Sequence, residues 1–366
     1  MHYILLTHKI EGGGLQAVVR AQAEILMLAG HQVTVICNKE DPSTVKSSAD
    51  FKVESIKFHT WTGRRQLKRL LQSLDDFRVL SHSFDAYWAM FWLSQYKGKT
   101  YYFVHVDYFA MYYKKTTPLK NFERSFNYKL LFNGKNIVFV SKGAEASMLN
   151  KIGVKPNRSA VIYPPMDLKK IHRLSDTEAH LVLPKKYYIS LGRLAKRKNV
   201  ALTIEAFSKF REEDEHLVIV GDGEDMTSLK DQVIALDLRD RVLFLGWQQN
   251  PYPILKKAEA LIMSSNIEGF GLNIVEAMSL GVPVISTDAP SGPREILEPE
   301  YSDCLSSVGD LEDLVSKIAR FKLNRCESRF NPEALKAHVL KFNNIQVAQQ
   351  LLGFTHANTK AEDALV

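Results

Sequence analysis

The stretch from Ile267 to Ile296, IEGFGLNIVEAMSLGVPVISTDAPSGPREI, constrains this chain more than any other, because it sets a glycine turn and a short helix between two apolar runs. LIMSS at 261–265 and PVIST at 283–287 read as buried strands, with Glu268-Gly269-Phe270-Gly271 as the intervening turn. The pattern predicts a helix starting near Asn273. Asn273 would be its N-cap, Glu276 would complete a capping box, and Gly281 followed by Pro283 would end it.

A strand, a glycine turn and a helix N-terminus together make a seat for an anion, since backbone N–H groups and the positive end of the helix dipole converge where a ligand can come close. Two carboxylates beside such a seat would repel a bare phosphate. They suit a ligand that also offers neutral hydroxyls, so the expected ligand carries both phosphate and sugar. The plainer readings are that Glu276 only caps its own helix and that Glu268 is a solvated loop residue. The two glutamates lie eight positions apart in E-G-F-G-x-x-x-x-E-A-M-x-x-G-x-P-V, and the pattern runs on through Gly292-Pro293-Arg294-Glu295-Ile296. This resembles the E-x7-E signature of family 4 glycosyltransferases, retaining enzymes with the GT-B fold.

The chain has 366 residues, 45% of them hydrophobic, enough for two domains with their own cores. No window approaches eighteen uninterrupted apolar residues, and MHYILLTHKIEGGG lacks a basic n-region and a small-residue cleavage site. The expected location is therefore cytoplasmic, with the inner face of the plasma membrane within reach of the basic first half. Cys37, Cys304 and Cys326 are odd in number and unrelated in spacing, as packing residues would be. Net charge is +7; residues 1–165 hold 23 Lys+Arg against 12 Asp+Glu, or +11, leaving 25 against 29, or −4, for the remainder. Such asymmetry marks a face for nucleic acid, an anionic membrane or a phosphorylated ligand.

In the first half, HYILLTH at 2–8, a helix over 15–28 and HQVTVIC at 31–37 form a βαβ unit with a glycine turn at 11–14. EGGGLQ lacks the G-x-G-x-x-G spacing of a dinucleotide site. Its glycines either make a tight turn or let backbone approach a donor phosphate or an acceptor. TGRRQLKRLLQSLDDF at 62–77 predicts a basic amphipathic helix, either solvated or touching anionic lipid. A second basic and aromatic tract spans Tyr112 to Lys135 and includes Lys114, Lys115, Lys120, Phe122, Arg124, Phe126 and Lys129; without an RNA-binding signature, nucleic acid is not the expected partner. His105 closes the strand YYFVHVD at 101–107, where ligands sit in an open α/β sheet. His82 and Asp85 occupy a similar strand-end region but match the family pattern less well and are not counted among the site residues.

In the second half, KYYISLGRLAKRKNV at 186–200 is a strand followed by a basic turn. Arg193 and Lys198 can reach the crevice of the 268 turn and stabilise a diphosphate as charge builds on its departing oxygen, while Lys196 and Arg197 read as solvated. Asp222-Gly223-Glu224 could suggest a metal pair, but two cations already supply the countercharge a divalent ion would. A helix is expected over 332–352, and residues after Thr355 read as a frayed tail.

The resemblance extends to G-R-L-x-x-x-K-N at Gly192 to Asn199. It implies an α/β, GT-B architecture of two facing doubly wound Rossmann-like domains: 1–165 on the acceptor side, 166–345 on the nucleotide-sugar side, and 346–366 as the end of a helix crossing back to the first. It implies Arg193 and Lys198 on the diphosphate, Glu276 on ribose hydroxyls, Glu268 on the donor sugar, and Phe270, Gly271, Leu272 and Asn273 through backbone groups. His105 would lie near the transferred sugar, Gly13 and Gly14 at the phosphate or acceptor side, and the backbone at Trp247 and Gln248 near the base. The expected activity is retaining transfer of a hexose or N-acetylhexosamine from a nucleotide sugar, UDP-linked, to an envelope glycan such as lipopolysaccharide or a polyprenyl-linked sugar. No cofactor or metal is expected. A UDP-sugar epimerase of the same fold and a non-catalytic sugar-nucleotide-binding protein remain as alternatives.

Overall fold

The computed structural model describes residues 1–10, 12–38, 51–113, 117–178 and 181–356. Glu11 of the expected glycine turn, Lys114 and Lys115 of the basic tract, and the tail from 357 onward lie outside the described residues. The chain divides into two units, Met1–Met166 with Phe342–Val366, and Asp167–Lys341.

The first unit carries seven strands: β1 (His2–Thr7), β2 (Gln32–Cys37), β3 (Lys52–Ser55), β4 (Phe77–Ser81), β5 (Thr100–Val104), β6 (Asn136–Phe139) and β7 (Arg158–Val161). They pair in the order β3-β2-β1-β4-β5-β6-β7, all parallel. Both faces of the sheet are covered, which is why the strands read as continuous apolar runs rather than alternating ones. Along β1, Ile4 and Leu6 join one buried layer with Val79, Val104 and Phe139, while Tyr3 and Leu5 join the opposite layer with Val35, Phe103 and Val138.

The second unit repeats the plan with β8 (Tyr187–Leu191), β9 (His216–Val220), β10 (Val242–Gly246), β11 (Ala260–Met263), β12 (Val284–Thr287) and β13 (Leu305–Ser306). Their order is β10-β9-β8-β11-β12-β13, again parallel throughout. In each sheet the chain starts in the middle, winds to one side and returns to wind to the other. The reversal falls between β1 and β4 in the first unit and between β8 and β11 in the second, and ligands of such sheets settle outside the carboxyl ends of the strands at that reversal.

The helix expected over 332–352 is broken. Pro332–Val339 ends in a 3-10 turn at Leu340–Phe342, and a new helix spans Asn344–His356. Met166 causes the break: its N–H donates to the Phe342 carbonyl (3.1 Å) and its carbonyl accepts from the Asn344 N–H (3.2 Å), using backbone groups that a continuous helix would have paired internally. The first unit takes up the chain again at Phe342. The Asn344–His356 helix packs on the Gly14–Leu28 helix, burying Val347 and Leu351, and the hydroxyls of Thr355 and Tyr3 share a hydrogen bond of 2.8 Å. Among the described residues no helix is long and apolar enough to cross a membrane.

Candidate active site

The site of the second unit grows from two loops at the reversal of its sheet, one after β8 and one after β11. They are tied together by backbone. The Asn266 N–H donates to the Arg197 carbonyl (2.8 Å), Asn266 Nδ2 to the Lys196 carbonyl (3.0 Å), and Ser264 Oγ to the Asn199 carbonyl (2.7 Å). Lys196 and Arg197 leave their side chains exposed. This lacing fixes where the next side chains can point. Lys198 Nζ donates to Glu268 Oε1 at 2.6 Å, and Ser265 Oγ donates to the same oxygen at 2.6 Å. Glu268 is only 6% exposed, so the pair is an ion pair largely removed from water. Such pairs are strong electrostatic elements because little solvent screens them.

The turn that follows is shaped by two glycines. Gly271 has φ +96 and caps the Leu272–Ser279 helix from the left-handed region, so the expected Asn273 cap does not form and the helix starts before it. Asn273 instead donates from Nδ2 to the carbonyl of Leu191 at the end of β8, binding the helix N-terminus to the neighbouring strand. Gly292 lies so close to the turn that a methyl there would sit 1.8 Å from the Phe270 carbonyl oxygen. Phe270 is buried, and the backbone of Phe270 to Asn273 opens the helix at the reversal, as an anion seat requires.

Glu276 does not close a capping box, since no cap side chain is there to answer it. Its Oε1 accepts from the Tyr252 hydroxyl at 3.1 Å. Burial pushes its carboxyl up to about 7, against the opposing effects of the Tyr252 hydrogen bond and the Lys198 charge. The ammonium of Lys198 thus acts on both acids, one by contact and one through space. The guanidinium of Arg193 is exposed and pairs with Glu224 beyond β9 rather than with either acid, with Nε and Nη2 each 3.2 Å from Oε2. Glu224 is therefore engaged with a cation, and the Asp222 carboxylate accepts from the Gly223 N–H (2.7 Å). Trp247 follows β10 with 72% of its surface exposed, and Gln248 donates to the Leu245 carbonyl (2.7 Å).

The remaining expected residues belong to the first unit. Gly13 is the N-cap of the Gly14–Leu28 helix, and both glycines are exposed after β1. His105 follows β5, and its ring meets that of His82, which follows β4: His82 Nδ1 and His105 Nε2 lie 3.0 Å apart. Burial lowers both imidazoles, His105 to about 3, so both stay neutral and one donates to the other. They line a pocket of about 480 Å³ together with Leu15, Tyr108, Arg124 and Tyr128.

Sequence reasoning missed Ser265 and Tyr252, which fix the two acids, and set aside His82, the partner of His105. It also set aside Asp85, whose Oδ2 accepts from Asn38 Nδ2 (2.9 Å) and lies 3.0 Å from His8 Nδ1. The signal for His82 was its place at the end of an apolar strand, the same kind of position that singled out His105. Ser265 and Tyr252 carried none, since a serine in a loop and a tyrosine after a proline have many uses.

Residues 12–170 match the model of Glycosyltransferase Family 4, and residues 175–336 match that of glycosyl transferases group 1. The Campylobacter jejuni N-acetylgalactosamine-N,N'-diacetylbacillosaminyl-diphospho-undecaprenol 4-alpha-N-acetylgalactosaminyltransferase is 28% identical over 218 residues, 58% of this chain and 58% of that one. The lipopolysaccharide 1,6-galactosyltransferase of Escherichia coli is 29% identical over 188 residues, 50% of this chain and 51% of that one. The chain thus spans about half the length of these curated relatives. HepE of Anabaena, crystallised with UDP and glucose, matches with a TM-score of 0.79 at 16% identity over 98% of this chain and 100% of that one, which shows a shared fold. With its two halves matched in that order on the paired parallel sheets of the GT-B fold, the chain belongs to glycosyltransferase family 4.

Proposed function

We propose that the chain is a hexosyltransferase that moves a hexose or N-acetylhexosamine from a UDP-linked sugar to a hydroxyl of a growing envelope glycan, such as lipopolysaccharide or a polyprenyl-linked sugar, with retention at the anomeric carbon and no metal. One observation carries the reading: Lys198, Glu268 and the N-terminus of the Leu272–Ser279 helix meet at the reversal of the second sheet, with Glu276 on that same helix. A diphosphate there is met by a helix N-terminus and a lysine, and the hydroxyls on either side of it by two carboxylates. The donor sugar goes to Glu268 and the ribose to Glu276. As the sugar–phosphate bond breaks, negative charge grows on the departing oxygen, and a fixed ammonium stabilises that charge more than it stabilises the intact donor. The names of the Campylobacter and Escherichia relatives support a glycan acceptor, and the UDP and glucose bound to HepE support the donor class. The acceptor is assigned to the first unit, where neutral His105 can exchange hydrogen bonds with a sugar hydroxyl.

The direct test follows UDP release from UDP-Glc, UDP-Gal, UDP-GlcNAc and UDP-GalNAc in turn, with EDTA present. One donor is expected to turn over, accelerated by a glycan acceptor, and the anomeric configuration of the product is read by NMR. Formation of an epimer without acceptor would move the chain to the epimerases, and binding without turnover would make it a carrier. Arg193→Ala is expected to slow transfer about a hundredfold, the scale of removing one electrostatic stabiliser. Its melting temperature should barely move, because the Arg193–Glu224 pair is exposed and contributes little to stability. Near-normal turnover would remove Arg193 from the site.

A further inference from the structure

The histidine pair beyond β4 and β5 shares a hydrogen bond whose direction can be worked out from what surrounds it. His82 is 2% exposed, and its ring lies against Phe103 with 4.5 Å between centroids. Its backbone N–H donates to the Leu6 carbonyl (2.9 Å), which ties the residue to β1 as well. His82 Nδ1 meets His105 Nε2 at 3.0 Å. The other ring nitrogen of His82, Nε2, is buried and finds no hydrogen-bond partner among the described residues. His105 is half-buried and lines the pocket beside Tyr108 and Arg124, and its Nδ1 has no partner among the described residues either.

Burial lowers both imidazoles, so both rings are neutral near pH 7. Each then carries one proton, and only one of the two protons can stand in the shared bond. If His105 gave it, the proton of His82 would sit on Nε2, a buried N–H with nothing to receive it. If His82 gives it, Nε2 keeps only a lone pair, and His105 must carry its own proton on Nδ1. Buried N–H groups without a partner are rarer in proteins than acceptors without one. We infer that His82 is a positioning residue: it donates Nδ1–H to His105 and thereby holds His105 in the tautomer that offers a ligand a hydrogen-bond donor and no lone pair. A histidine without such a partner prefers its proton on Nε2, so His82 reverses what His105 presents. The consequence for catalysis rests on the transfer reading above. A sugar oxygen can accept a hydrogen bond from His105, whereas a sugar hydroxyl cannot pass its proton to it. His105 thus grips the sugar and is not the base of the reaction.

The full-length chain, labelled with nitrogen-15 in its histidines and free of donor, is examined by NMR near pH 7, where the ring-nitrogen shifts show which nitrogen carries each proton. His82→Asn and His105→Gln spectra assign the two rings. Both are expected to be protonated at Nδ1. His82→Leu should move the His105 proton to Nε2 and slow acceptor-dependent UDP release at least about tenfold, the scale of one hydrogen bond. His82→Asn, whose amide N–H takes the place of Nδ1–H, should keep both the tautomer and the rate. A role in packing alone predicts the reverse order, since leucine fills an apolar site better than asparagine. Wild-type His105 with its proton on Nε2 would overturn the inference, and that spectrum decides even if His82→Leu fails to fold. So would a His105 tautomer that His82→Leu leaves unmoved, and a tautomer that moves without slowing UDP release would overturn its part in transfer. Since the tautomer is read without donor, its failure leaves the transferase reading standing, and a failed donor screen leaves the tautomer standing.

Discussion

Lys198→Ala is expected to lower kcat for sugar transfer at least about a hundredfold and to destabilise the second unit by about 3 kcal/mol. The two losses have different origins. The rate should fall because, on the proposed reading, this ammonium, in contact with Glu268 and felt by Glu276, meets the charge that develops on the leaving diphosphate. Stability falls because Glu268, 6% exposed, keeps only the Ser265 hydroxyl as partner once Lys198 Nζ is gone. A buried carboxylate with half its compensation removed is a costly group. A drop of that size corresponds to a fall in melting temperature of roughly 6 to 12 °C for a unit of this length.

The double variant separates the two. Adding Glu268→Ala removes the stranded charge, so Lys198→Ala/Glu268→Ala should recover most of the melting temperature and none of the turnover. Glu268→Ala alone should also be nearly inactive, since it deletes the group assigned to the donor sugar. Lys198→Ala protein that turns over at close to the wild-type rate would end the assignment of the diphosphate to this cluster.

What could be read from the residues was what repeats along the chain. Apolar runs bounded by glycine located strands such as β1, β2, β8 and β11, because a parallel strand covered on both faces must be apolar throughout. The order of the strands required the structure, because neighbours such as β8 and β11 are separated by two complete βα units. Lys198 and Glu268 could be assigned to one site from the family motifs that carry them, although they stand 70 positions apart. The error at Asn273 is instructive. Asparagine three residues before glutamate ordinarily caps a helix, yet here Gly271 takes the cap and Asn273 is drawn away by the Leu191 carbonyl, a partner on another strand. Local propensity lost to a tertiary hydrogen bond. The break at 340–343 has the same character, since Met166 supplies the competing backbone groups from far away in sequence.

Glu276→Gln should make the protein more stable at pH 8 by about 3 kcal/mol, leave it unchanged near pH 4, and impair donor binding. In the folded chain burial raises the Glu276 carboxyl from its ordinary 4.5 to about 7. Between those values the native state holds a proton that the unfolded chain has released, so wild-type stability falls as pH rises through this window. Below it both states are protonated and the penalty vanishes; above it the penalty is complete. Glutamine keeps an oxygen for the Tyr252 hydroxyl but carries no charge, so it escapes the penalty. Denaturant melts of both proteins from pH 4 to pH 8 would show the difference opening with pH, and a constant offset would show that Glu276 does not titrate in this range. The functional half has the opposite sign. Ribose hydroxyls donate best to an ionised carboxylate, so donor binding should tighten in the wild type as pH rises through about 7, by up to roughly tenfold, with a proton released on binding. Calorimetry in buffers of different ionisation enthalpy reads that proton directly. Glu276→Gln should release none and bind the nucleotide sugar more weakly above pH 7. A variant that bound as tightly as the wild type at pH 8 would show that the carboxylate does not hold the donor, and that its burial beside Lys198 serves the helix alone.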